Sequence, residues 1–309
     1  MVVSLLSGRR RDIQAELPPP GDEILVATNG RLGCPEVLFV GVPPLRQFSY
    51  EQIRSFGRRV LRSLAAVAPH TKHLSLTIHG PGYGLDEAEA FRAEIAGLVD
   101  AITYAQYPPN LRTITFVERE EGRARRLNGI LEGVLPRFSL DVADPGSPED
   151  LGPDAGVSLR SAGAGSKEKR HVFVAMPFLD EMSDLFHYGI EPAVKTVTAL
   201  CERADQAVFT GEVMTWVKER IRTAALVVAD LSHANANVYL EVGYAWGCGV
   251  QTVLLTRDEE DLKFDVKAHR CIVYTSIHDL EVRLTAELSA LVPSGVPRQS
   301  TKKRIDSTK

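Results

Sequence analysis

The sequence predicts two α/β domains, the C-terminal one a doubly wound, mainly parallel sheet. Two observations carry this expectation. Short runs rich in Val, Ile and Leu alternate with helical stretches through both halves of the 309 residues. Between the halves, 12 of the 23 residues at 144–166 are Gly, Pro or Ser, and the basic run 167–170 follows directly. The division is therefore an α/β domain at 1–143, a linker at 144–170, a second domain at 171–292 and a polar, disordered tail at 293–309. At about 150 residues per domain, each half can bury a core of its own.

In order, the N-terminal half offers strands at 23–28, 36–42, 73–79 and 111–117, with helices near 50–68, 86–103 and 120–134. The C-terminal half repeats the style, with strands at 171–176, 225–230, 251–256 and 271–274 and helices near 183–197, 212–222, 237–248 and 279–291. Its second strand is either 200–205 or 206–209. The first register is preferred, because Thr210-Gly211 then falls in the strand-to-helix loop. Such an alternation is that of a flavodoxin- or Rossmann-like sheet, whose ligands bind at the carboxyl ends of the strands.

Composition excludes several functions. With 36 Lys and Arg against 40 Asp and Glu the net charge is −4, so there is no basic face for nucleic acid. The runs at 9–11, 167–170 and 302–304 read as solvated linker or tail charge. Cys34, Cys201, Cys248 and Cys271 form neither a Cys-x-x-Cys nor a Cys/His cluster, which gives no metal site and points to a reducing cytoplasm. No apolar run approaches the roughly 18 residues that span a bilayer, and the apolar patch at 2–6 precedes its arginines, the reverse of a secretory signal.

The most informative segment is 224–247. An apolar strand ends in Asp230, a polar turn follows, and Asn235 or Asn237 caps the next helix. On that helix Asn237, Glu241, Tyr244 and Cys248 share one face, while Val238, Val242 and Ala245 share the adjoining one. Two further strand ends converge there, Met176-Pro177-Phe178 and Arg203-Ala-Asp205. The chemistry suits a nucleoside. Phe178 and Tyr244 offer rings for stacking, Asp230 or Asp205 can hold ribose hydroxyls, and Glu241 can face the anomeric carbon, kept charged by the helix dipole. Each residue also has a plainer reading. Asp230 can brace the turn, Asn235 and Asn237 can act first as turn and cap residues, and Phe178 can belong to the core. His269 and Cys271 read as packing, Phe264-Asp265 as loop geometry, and His233 is a proton donor by proximity alone.

In the N-terminal half, the strand at 73–79 runs into Gly80-Pro-Gly82-Tyr-Gly84 and then a helix. Glycines in that position let backbone N–H groups approach a phosphate, or else they form a tight turn. The segment resembles macro-type ADP-ribose-binding domains at the level of fold, which implies a nucleotide signal or a docked partner.

Phe173-Val-Ala-Met-Pro-Phe178, Arg203-Ala-Asp205, Asp230-Leu-Ser and Asn235-x-Asn237-Val-x-x-Glu241-Val-Gly243-Tyr-Ala245 together resemble the nucleoside 2-deoxyribosyltransferase-like proteins, which overlap with the bacterial TIR-like nucleotide-binding family. The resemblance covers about 170–292. It implies cleavage of an N-glycosidic bond by a helical glutamate, here Glu241, in a nucleoside, a nucleotide or NAD, with no added cofactor. It also implies a homo-oligomer, and for NAD-cleaving members a role in anti-phage defence. The chain departs from the transferases in carrying Asn235-x-Asn237 instead of Asp-x-Gly and in its N-terminal domain, and both departures point away from nucleoside salvage. The leading expectation is thus a glycosidic-bond hydrolase. The alternatives are a non-catalytic nucleotide-binding signalling module and a salvage 2-deoxyribosyltransferase. Binding needs Phe178, Asp230 and Asn237, and only catalysis needs Glu241.

Overall fold

A computed structural model of the chain describes residues 17–44, 48–79, 84–134, 159, 161–203 and 211–292. Its C-terminal half is a five-stranded sheet with every neighbouring pair parallel, in the order β6-β5-β7-β8-β9. The strands are β5 (His171–Ala175), β6 (Leu200–Arg203), β7 (Leu226–Asp230), β8 (Thr252–Thr256) and β9 (Cys271–Val273). The second strand takes the preferred register, with Val172 opposite Cys201. The chain reverses its direction of winding between β5 and β7, so the switch point of this doubly wound fold lies at the ends of those two strands.

Alternation along the strands sorts the helices onto two faces. Phe173, Ala175, Val227, Ala229 and Leu254 point into one core with α5 (Gly211–Thr223) and α6 (Ala236–Gly247). Val172, Val174, Val228, Val253 and Leu255 point into the other with α4 and α7 (Ile277–Leu291). The helical run α4 spans 182–196 and is made of Met182–Leu185, a single π turn at Phe186–Ile190, and Glu191–Thr196. Because both faces are covered, β5 and β7 are buried along their whole length.

The N-terminal half contains an antiparallel pair, β1 (Glu23–Ala27) with β2 (Glu36–Val40), and a parallel pair, β3 (His73–Leu76) with β4 (Thr113–Phe116). Its helices are α1 (Tyr50–Val67), α2 (Glu87–Thr103) and α3 (Glu121–Val134). Helices α1 and α2 touch backbone to backbone. A Cβ at Gly97 would stand 2.0 Å from the Arg54 carbonyl oxygen, so only glycine fits there.

Two expectations about organisation meet a different arrangement. Tyr50, Ile53, Leu85, Ala90 and Ala93 join the α5 and α6 side chains in one core, so the halves share buried apolar surface. In addition, the part of the expected 144–170 linker that is described is packed. Ala162 is wholly buried, its carbonyl accepts from Arg54 Nη1 (2.7 Å), and Ser166 Oγ and Lys169 Nζ both bind the buried Glu89 carboxylate (2.5 and 2.8 Å). The small residues that read as a linker are the ones that let this segment lie against α1 and α2. Residues 144–158, 160 and the 293–309 tail lie outside the described residues. No described helix is long and apolar enough to cross a membrane.

Candidate functional site

The carboxyl end of β7 leads into a turn in which His233 and Ala234 both adopt positive φ, 63° and 48°. Left-handed backbone at two non-glycine residues in a row is strained, and strain of this kind persists only where the surroundings hold it. Here the holders are explicit. His233 N donates to Asp261 Oδ2 (2.9 Å), its ring faces Glu181 from the loop after β5 (3.2 Å), and Ser232 N donates to Asp230 Oδ1 (2.9 Å). The His233–Glu181 pair therefore spans the switch point.

Asn235 then caps α6, accepting from the N–H groups of Asn237 and Val238. With Asn235 as the cap, Asn237 becomes the second helical residue. It is exposed, and its side chain makes no hydrogen bond among the described residues. Glu241 is the sixth residue, one and a half turns in. Burial pushes its carboxyl up from the usual glutamate value to about 7, and no neighbouring charge contributes to that shift. Among the described residues it has no hydrogen-bond or ion-pair partner. The expectation that the helix dipole keeps Glu241 charged is corrected: the dipole acts over the first turn, and at this depth desolvation dominates.

Tyr244 does not reach the edge. At 1.5 Å per residue it lies about 12 Å below the start of α6, where its ring sits beside Lys218 Nζ of α5 (5.9 Å) and its hydroxyl lies near Cys248. It is no stacking platform for a ligand at the strand ends. It does show which way its face looks: Glu241, three residues earlier on that face, looks towards α5.

Of its two expected roles, Asp230 takes the plainer one. It is wholly buried, Oδ1 is taken by Ser232 N, and Oδ2 accepts from Tyr274 Oη (2.8 Å). Burial raises its carboxyl above the ordinary aspartate value and, with Asp230 beside it, lifts the Tyr274 phenol as well. A carboxyl so enclosed braces the turn and ties β7 to the end of β9, and it has no free oxygen for a ribose. Ser232 Oγ completes the brace by accepting from Arg257 N (3.0 Å) at the end of β8. Outside this brace lies a cleft of about 450 Å³ lined by Arg257, Tyr274, Thr275, Ser276 and Ile277.

Among the other expected residues, Met176 and Pro177 are buried under the edge, Met176 Sδ lying 3.6 Å from Arg203 Nη1. Phe178 stands at the lip with 43% of its surface exposed, available to stack on a ligand. Asp205, Gly80 and Gly82 lie outside the described residues. Gly84 has φ +90° and faces Trp216, and the α2 N-terminus beyond it is closed by the buried Asp86, which accepts from Glu89 N. The described part of the expected phosphate loop is thus turned onto the C-terminal half. His269 stacks on Trp246 (4.3 Å between centroids), and burial lifts the Cys271 thiol to about 12. No group of three His, Cys, Asp or Glu able to hold a metal occurs among the described residues. Tyr274 and Glu181 were not singled out in the sequence, and Ser232 entered only within the Asp230-Leu-Ser segment. Only the polar residue closing β9 gave a signal for the first.

Fold and site together define a doubly wound α/β protein in which burial raises the Glu241 carboxyl near the carboxyl ends of the strands, with no partner for it among the described residues. The chain matches no protein-family model, and no curated protein matches it.

Proposed function

We propose that the chain is an N-glycosidase that cleaves the bond between base and sugar in NAD or in a nucleoside or nucleotide, with Glu241 as its catalytic carboxylate. The supporting observation is the state of Glu241. A carboxyl buried without a counter-charge is costly to ionise, and a cation arriving beside it is a partner already provided for. As the C1′–N bond breaks, its electron pair leaves with the base and positive charge grows at C1′. The Glu241 carboxylate stabilises that charge or attacks the carbon, and water completes the hydrolysis. NAD suits this arrangement best among the candidates, because its nicotinamide is already cationic and leaves neutral without a proton donor. Phe178 at the lip and the Asn237 side chain at the helix start are the groups available to hold base and sugar. Consumption of NAD would suit an effector of anti-phage defence.

The test is chromatographic: purified protein is incubated with NAD, NADP and a panel of ribo- and deoxyribonucleosides and their monophosphates, and free base is measured. Release of nicotinamide from NAD supports the proposal in its preferred form. Exchange of bases on a deoxyribosyl donor, without hydrolysis, would replace it with transfer. Saturable binding with no free base from any compound would leave a binding module.

A further inference from the structure

The groups that join the two halves are polar, buried and aimed at one strand. Asp86, wholly buried at the cap of α2, accepts through Oδ2 from Cys201 N on the outer edge of β6 (2.8 Å) and pairs with Lys195 Nζ of α4. Tyr50, at the start of α1, accepts from Asp86 N (2.9 Å) and donates to Glu202 Oε1 of β6 (2.7 Å). The other Glu202 oxygen is held by Arg220 of α5, through Nε (2.7 Å) and Nη2 (2.6 Å). Beside this network Gly84 leaves room for Trp216. A Cβ built on Gly84 would stand 1.9 Å from the indole ring. An edge strand needs cover for its unpaired N–H groups, and here the cover is a specific carboxylate instead of an apolar cap.

The consequence runs through α5. Trp216 and Val217 of that helix share a core with Val238 and Val242 of α6, and the face of α6 that carries Glu241 looks towards α5. We infer that Asp86 and Tyr50 are positioning residues: by fixing β6 and α5 against the N-terminal half, they set how closely α5 covers Glu241. The N-terminal half is then part of the machinery that governs the proposed catalytic carboxyl. For its functional meaning the inference rests on the proposed role of Glu241, but its test requires no turnover.

The test is direct titration of Glu241 by carboxyl-carbon NMR in glutamate-labelled protein, the resonance being assigned by its loss in Glu241→Gln. The charged α5 groups on that side, Lys218, Glu219 and Arg222, are unchanged in every variant compared. In the parent protein the midpoint should lie near pH 7, where burial puts it. In Asp86→Asn, and separately in Tyr50→Phe, the midpoint should fall by a unit or more as water reaches the carboxyl. Leu284→Ala, which opens the core on the opposite face of the sheet, controls for general loss of stability and should leave the midpoint in place. If Asp86→Asn does not fold, Tyr50→Phe decides, since it removes one hydroxyl only. A folded latch variant with an unmoved Glu241 midpoint, or an equal shift in Leu284→Ala, would overturn the inference. Failure of the glycosidase proposal would appear separately, as absence of base release from the parent protein.

Discussion

Glu241→Gln should make the protein more stable at neutral and higher pH. The carboxyl titrates near 7 in the folded chain against about 4.5 as an ordinary glutamate. An acid whose folded pKa is raised binds its proton more tightly when folded. Its full contribution is therefore present below about pH 4.5, is lost progressively as pH rises, and is gone above about pH 7. A shift of roughly 2.5 units at 1.36 kcal/mol each is worth about 3 kcal/mol. The neutral amide has no such slope. Urea unfolding at pH 4.5 should give nearly equal stabilities for the two proteins, and at pH 8 the variant should exceed the parent by up to about 3 kcal/mol, seen as a higher midpoint with an unchanged m value. The residue would thus be kept at a cost in stability, as functional groups often are. A difference that does not change with pH, or a variant less stable at pH 8, would refute the argument that burial raises the Glu241 carboxyl.

Two further outcomes test the scaffold. Tyr274→Phe removes the donor to Asp230 Oδ2 and leaves a buried carboxyl short of a partner, which should cost about 1–3 kcal/mol by chemical denaturation; a loss below 0.5 kcal/mol on the same rough scale would mean that the brace is dispensable. Gly84→Ala places a side chain at φ +90° and into the Trp216 ring, so destabilisation on the order of 2 kcal/mol or more should come with a changed Trp216 emission in a Trp246→Phe background, and an unaltered spectrum would contradict the contact.

The sequence made the C-terminal sheet legible because strands buried on both faces are apolar throughout and its helices carry clear periodicity. The unbroken apolar run that leads into Asp230 in Leu226–Asp230 needs no tertiary knowledge to read. Tyr244 was misjudged because a shared helix face was taken as a shared depth, although four residues of helix descend about 6 Å. The choice between the two readings of Asp230 was not legible, because its fate depends on Tyr274, 44 positions away. The roles of Asp86 and Tyr50 were invisible for the same reason: their partners, Cys201 and Glu202, lie more than a hundred residues along the chain. Residues 161–170 looked like a linker because small polar residues serve flexible chain and close packing equally well.

The most direct test of Glu241 as the catalytic carboxylate is the rate of base release by the parent protein and by Glu241→Gln, measured across pH on whichever compound the chromatographic panel identifies. In the parent, kcat/KM should rise with pH through about 7, where the free enzyme's carboxyl ionises. In the variant the rate should fall on the order of a hundredfold or more at every pH, with ligand binding retained and the limb near pH 7 absent. A variant within a few-fold of the parent, still showing that limb, would contradict the account.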